Sequence, residues 1–517
     1  MNENLYEILQ SCFPANPDAP CLILPDGSDV SYGRVQQESA RYAALLAELG
    51  VQPGDRVAVQ VRKSPQALFL YLGALRAGAV YLPMNDAYQR HEIEYFLGDA
   101  TPRVFICRPQ IRALAEELAA KAGVTHLLEL DDDGRGSLAE AASSLPDHFT
   151  TVARTGDDLA ALLYTSGTTG RSKGAMLSHR NLASNAKVLH RYWGFRSGDV
   201  LLHMLPIFHV HGLFVATHCS LMNGSPMFFE PKFDAKRALA LLPRATVFMG
   251  VPTYYVRLLA DPDFKSKLCS NMRLFISGSA PLLMETFEEF KTRTGYTILE
   301  RYGMTEGNMF TSNPYDGERR GGTVGFPLPG VSIRIADAEE RPAEVGEIGQ
   351  IQVKGDNIFR GYWRMPEKTR EEFTADGFFK TGDMGRRDKE GYISIIGRSK
   401  DLIISGGLNV YPKEIEEMID AMPGVFESAV FGVPHPDFGE AVVAAVVRQK
   451  NPDGAAATET SIIHALKGAL ANFKVPKRVH FIDELPRNSM GKVQKNVLRQ
   501  QESNLFKGIQ DSGSSPE

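Results

Sequence analysis

Apolar residues recur at helical spacing from residue 31: Val35, Ala40, Ala43, Leu46 and Leu49 share one face, behind Ser31 as a candidate N-cap and ahead of Gly50. This predicts an amphipathic helix over 31–50. The pattern then gives a strand at 55–61, a helix over about 64–77, a strand at 79–84, and a further helix and strand ending at 104–107. Such alternation predicts an α/β fold with mostly parallel sheets flanked by helices. Later apolar runs end in small polar turns. The run at 159–163 enters YTSGTTGRSKG, the strand at 272–276 enters Ser277-Gly278-Ser279-Ala280, and ILERYGMTE spans 298–306. Residues 323–400 are glycine-rich and strand-like. Beyond them, strands at 428–433 and 442–447 and helices at 413–421 and 461–471 suffice for a small α+β domain. The expected division is a large multi-subdomain region at 1–399, a small mobile domain at 400–508 and a disordered tail at 509–517.

Composition narrows the class. With 517 residues, 43% hydrophobic and 23% charged, the chain is of globular type and long enough for more than one core. A net charge of −5 without a long basic block gives no reason to expect nucleic-acid binding. The five cysteines, Cys12, Cys21, Cys107, Cys219 and Cys269, are scattered and odd in number, which suits a reducing compartment. No lysine or arginine precedes Arg34, so a basic targeting start is missing, and Arg76 interrupts the apolar stretch at 67–82 before it could span a membrane. A cytoplasmic protein is the expectation.

Candidate chemistry lies in the polar turns. In residues 164–174 the hydroxyls of Thr165, Ser166, Thr168, Thr169 and Ser172 surround Gly167 and Gly170, and Lys173 follows. Free backbone N–H groups, hydroxyls and a cation suit a phosphate chain, although a solvated linker has the same composition. It is not a Walker A loop. Counting from Gly167 puts Ser172 where the second glycine should stand, and Gly174 follows Lys173. The run LLHMLPIFHVHGLF carries His203, His209 and His211, with His218 beyond. Its His-x-His alternation could offer two metal ligands on a strand face, but no Cys, Asp or Glu lies nearby to complete a set, and pocket-wall or core histidines are the other reading. Arg257 shares a face with Tyr254 if a helix starts near Thr253, and a surface pair with Asp261 is the plain alternative. Lys492 follows Gly491 in a loop, either simply exposed or delivered to a site elsewhere.

Together these stretches resemble the adenylate-forming enzymes, which include acyl-CoA synthetases, luciferases and peptide-synthetase adenylation domains. The resemblance covers nearly the whole chain. YTSGTTGRSKG is similar to the family's ATP-phosphate loop, YGMTE at 302–306 to its adenine and magnesium motif, TGD at 381–383 to its ribose motif, GRSKDLI to its hinge and PRNSMGK to its catalytic-lysine motif. It implies ATP, Mg²⁺ and coenzyme A, and a carboxylate activated as acyl-AMP before a thiol displaces AMP. Thr165, Ser166, Gly167, Thr168, Thr169 and Lys173 would bind phosphates, Thr305 the α-phosphate and Glu306 the metal ion. Ser279, Ala280, Glu300, Arg301, Tyr302 and Gly303 would line the nucleotide, and Asp383 and Arg398 would hold its ribose. Lys492 would bridge substrate carboxylate and α-phosphate. Lys400 would be the hinge, turning Ser405, Gly406 and Gly407 toward the thiol.

Within that family, LPIFHVHGLF, GVPTYYVRLL, LFISGSAPLL and ERYGMTEGNM resemble the malonyl-CoA synthetases, some of which also take methylmalonate. The implied substrate is a small dicarboxylate, its free end held by Arg257 at the pocket floor with Ser277 and His209. The alternatives are a synthetase for another small carboxylate and a ligase that loads a carrier protein. The Pro486 to Lys492 spacing resembles sites of reversible lysine acylation, so a lysine acyltransferase or deacylase acting on Lys492 is a further expected partner.

Overall fold

The computed structural model describes residues 2–165, 172–406, 408–436, 438–450, 454, 457–488 and 491–506. Its contacts divide the chain into two compact units, residues 1–333 with 353–379, and residues 334–352 with 380–517. This division differs in position from the break expected at 399/400, because 334–352 and 380–399 go with the second unit.

The first unit holds two sheets. In the six-stranded one, the strands His126–Glu129, Val104–Cys107, Arg56–Gln60, Val80–Pro83 and Leu159–Thr165 lie side by side and parallel, and Lys173–Ser178 closes the edge antiparallel. The local signals act as expected. Ser31 Oγ accepts from the Arg34 N–H at 3.2 Å and caps the helix Tyr32–Glu48, while Ser64 caps Pro65–Arg76. The strand at 104–107 falls where predicted; its neighbours shrink to Arg56–Gln60 and Val80–Pro83. The nine-stranded sheet has a parallel centre through Leu299–Met304, Leu274–Ser277, Val247–Gly250, Leu201–His203, Met227–Phe229 and Pro20–Ile23, with antiparallel strands at both edges. Its core gathers Phe248, Tyr255, Phe264, Phe275 and Phe290.

The histidine run does not offer the strand face that a His-x-His metal pair would need: past His203 it is not a strand, since His211–Thr217 is a π-helix that continues into the helix His218–Asn223. A Cβ on Gly212 would stand 1.9 Å from the Pro206 carbonyl oxygen, so only glycine allows this wide turn to pack. Among the described residues no group of three or more His, Cys, Asp or Glu could hold a metal ion. No described helix is long and apolar enough to cross a membrane.

In the second unit the long hairpin Val425–His435 and Gly439–Arg448 anchors a five-stranded sheet. The helices Pro412–Asp420 and Glu459–Ala469 supply Ile415, Ile419, Ile462 and Leu466 to the core on one face, and Leu485 and Leu498 lie in the cluster on the other. A four-stranded sheet with strands Val331–Ala336, Gly349–Gly355, Phe379–Arg387 and Ile393–Arg398 lies largely in this unit.

Candidate active site

In the first unit the candidate groups collect at strand ends. Thr165 pairs in register with Lys173 across the hairpin, and residues 166–171, which include Ser166, Gly167, Thr168 and Thr169, lie outside the described residues. Lys173 Nζ is 3.4 Å from Glu372 and 4.2 Å from the Tyr362 ring centroid. Tyr362 in turn donates its hydroxyl to Glu306 Oε1 at 3.0 Å. One aromatic side chain thus stands between the loop lysine and the buried carboxylate of the YGMTE turn. Sequence reading missed Tyr362, which lies far along the chain in RGYW. What brings it here is its backbone: Trp363 N–H donates to the Gly174 carbonyl at 2.7 Å, and Ala175 bridges Tyr362.

Glu306 and Thr305 occupy the turn after Leu299–Met304. The donors there are carboxylate and hydroxyl oxygens only. One buried carboxylate among hydroxyls fits Mg²⁺, which keeps most of its ligands as phosphate and water oxygens, and does not fit a transition metal.

A second cluster surrounds Arg301. Its side chain is 3% exposed, and Nε and Nη2 have no hydrogen-bond partner among the described residues. Burial pulls its pKa down to about 9, with Tyr255 and Glu300 opposing. The guanidinium lies flat against Gly278, where a Cβ would meet Cζ at 2.4 Å. His209 is pulled down to about 4 by burial and then by the charge of Arg301, and His211 falls well below its ordinary value for the same reasons. Both rings are therefore neutral at pH 7. Ser279 Oγ is 3.3 Å from His211 Nδ1 and has φ +72°, a left-handed backbone that a serine rarely adopts. Ser277 is fully buried, its hydroxyl without a partner among the described residues, and Ala280 is half-buried. Glu300 Oε1 accepts from the Leu282 N–H at 3.3 Å. Tyr302 and Gly303 form a bulge, in which a Cβ on Gly303 would stand 1.8 Å from the Asn308 carbonyl oxygen.

Arg257 is not where a desolvated anchor would be. On the helix Pro252–Leu259 it faces away from buried Tyr255 and Leu258 and is exposed; burial pushes the neighbouring Tyr254 phenol up to about 12, with the charge of Arg257 opposing. Asp261, its expected surface partner, accepts instead from the Asp263 N–H at 3.0 Å. The desolvated, unpaired guanidinium expected of Arg257 belongs to Arg301. Helical spacing identified the face that Arg257 shares with Tyr254; which arginine is buried depends on strand packing that spacing does not encode.

In the second unit Arg398 Nε lies 2.9 Å from Asp383 Oδ1, and the two residues are register partners. Lys492 is drawn down to about 8, first by burial and then by Arg398, with Asp383 opposing and Lys400 adding to the shift. The Asp383–Arg398 pair, Lys400 and Lys492 therefore share one electrostatic neighbourhood. Lys400 sits in the 3₁₀ turn Ser399–Asp401. Ser405 is buried, Gly406 has φ +58°, and Gly407 lies outside the described residues.

Cations and hydroxyls at strand ends in the first unit, with a basic loop in the small α+β unit, suit a nucleotide-dependent enzyme of the α/β class. The chain belongs to the AMP-binding enzyme family: that family's model matches residues 10–363, and the model of its C-terminal domain matches residues 414–492. It is 33% identical to a malonate–CoA ligase of Arabidopsis thaliana, with 96% of this chain and 89% of that protein covered. A long-chain-fatty-acid–CoA ligase of Bacillus subtilis is also 33% identical, over 97% and 95%. Among solved structures, ATP-bound MatB from Rhodopseudomonas palustris matches with a TM-score of 0.95 and 55% identity, covering 98% of this chain and 100% of that one.

Proposed function

We propose that the protein is an ATP-dependent malonate–CoA ligase, with methylmalonate as a second substrate of the same pocket. Arg301 carries this reading. A buried guanidinium with unpaired nitrogens, beside two neutral histidines and Ser279, calls for an anion, and a second carboxylate on the substrate supplies one. A malonate–CoA ligase stands among the relatives beside a long-chain-fatty-acid–CoA ligase of equal identity, and Arg301 is what favours the dicarboxylate. Arg301, His209 and Ser279 hold the free carboxylate, Ser277 adds a hydroxyl, and Arg257 stands at the exposed edge beside Tyr254.

The other carboxylate attacks the α-phosphorus of ATP, and pyrophosphate leaves. Thr165, Ser166, Gly167, Thr168, Thr169 and Lys173 bind the phosphates, with Tyr362 fixing the direction of Lys173; Thr305 binds the α-phosphate. Ala280, Glu300, Tyr302 and Gly303 line the nucleotide, and Asp383 with Arg398 holds its ribose. Mg²⁺, when bound, is held by Glu306 and neutralises phosphate charge. Lys492 bridges the attacking carboxylate and the α-phosphate, so that two anions can meet without a protein nucleophile. The CoA thiol then attacks the acyl carbon and AMP leaves. Ser405, Gly406 and Gly407 face the thiol after a turn at Lys400 that separates a domain at 1–399 from one at 400–508. The cytoplasm suits both ATP and five free cysteines. Acylation of Lys492 by a lysine acyltransferase would remove the cation and stop the first step.

The test compares malonate with propionate in Arg301→Ala and Arg257→Ala. Arg301→Ala lowers kcat/KM for malonate by about 10³-fold and for propionate far less, since only malonate pairs with the arginine. Arg257→Ala has the smaller effect. Unchanged kcat/KM for malonate in Arg301→Ala overturns the assignment.

A further inference from the structure

The loop that carries Lys492 is gripped on both sides. Arg487, five residues before it, pairs with Glu427 of the strand Val425–His435 and donates from Nη1 to the Gly491 carbonyl at 2.6 Å. Lys495, three residues after it, pairs with Glu416 of the helix Pro412–Asp420 at 2.5 Å. Glu416 is itself tied to the sheet, because its Oε1 accepts from the Val430 N–H at 2.7 Å. Between the grips the backbone is cross-braced. Asn488 N–H donates to the Lys492 carbonyl at 3.0 Å, Lys492 N–H to Asn488 Oδ1 at 2.9 Å, and Arg487 bridges Val493.

The carboxylates are held at a cost. The Glu427 and Glu416 side chains are only 14% and 16% exposed, and burial pushes the Glu427 carboxyl up against the pull of Arg487. Asp420 stands near both, and burial together with their charges pushes it up to about 7. Acidic groups this close call for cations, and among the described residues Glu427 and Glu416 pair with Arg487 and Lys495, the flanks of the lysine loop.

We infer that Glu427 and Glu416 are positioning residues for Lys492, setting the base of its long side chain through Arg487 and Lys495. The inference rests on the proposed role of Lys492 in forming acyl-AMP. A pair that positions Lys492 acts in that half-reaction alone, whereas a pair that merely stabilises the unit affects both.

The experiment measures malonate-dependent ATP–pyrophosphate exchange and, separately, CoA-dependent conversion of supplied acyl-AMP. Glu427→Gln should lower kcat of exchange by about 10- to 100-fold, the scale of a roughly 1 Å misplacement, with conversion and melting temperature unchanged. Arg487→Lys keeps the charge and loses the fork; it should fold normally and give a smaller loss in exchange alone. Exchange retained in both variants, or both half-reactions falling together, overturns the inference. Lys492→Ala in the same assays separates the two levels. If it keeps exchange, the role of Lys492 is wrong; if it loses exchange while Glu427→Gln does not, only the positioning is wrong.

Discussion

At the residue scale, burial decides what each charge can do. Lys492, drawn down to about 8, is a cation at neutral pH but titrates well below an exposed lysine. Its folded pKa lies below its unfolded value, so the unfolded chain binds more protons between about pH 8 and 10.5, and this group's contribution to stability rises with pH there. In the proposed mechanism activity moves the other way, because acyl-AMP formation uses the cation. kcat/KM for pyrophosphate exchange should fall with pH above about 8, approaching tenfold per unit, and Lys492→Arg should abolish that limb in whatever activity it keeps. A wild-type profile flat to about pH 10 would contradict the assignment. Arg301 shows the same physics in a group that stays charged: burial strips its water and leaves two donors for a ligand to satisfy.

At the element scale, helix caps and strand runs were legible and the histidine segment was not. Ser31 and Ser64 announce their helices by local hydrogen bonds, which depend on neighbours in sequence. The π-helix His211–Thr217 depends instead on distant partners. Lys63 Nζ donates to the His203 carbonyl at 2.7 Å and lies 2.8 Å from His203 Nδ1; Nε2 of that ring is 3.1 Å from the Gly212 carbonyl. Gly212→Ala drives a methyl into the Pro206 carbonyl and should destabilise by about 3 kcal/mol or more, read by denaturant unfolding. Gly98 in the helix Arg90–Ala100 has open space around it, so Gly98→Ala should stabilise by about 0.5–1 kcal/mol. Equal shifts in the two variants would show that neither packing nor helix propensity has been read correctly.

At the scale of the whole molecule, the proposed division of labour predicts separable half-reactions. Lys400 lies in a one-turn 3₁₀ segment, and proline there fixes φ. Lys400→Pro should leave pyrophosphate exchange within a few-fold of wild type and block conversion of supplied acyl-AMP with CoA; loss of exchange alone would reverse the assignment. The sequence by itself determined the alternation of helices and strands, the family and the order of its motifs, including the place of Lys492 in the last of them. These are written in spacing and local composition, which survive without knowledge of packing. Only the tertiary structure decided that Arg301 is the desolvated arginine and Arg257 the exposed one, that Tyr362 joins Lys173 to Glu306, and that Glu427 grips the lysine loop. Each of those depends on side chains brought together from separate strands, and burial is a property of that assembly.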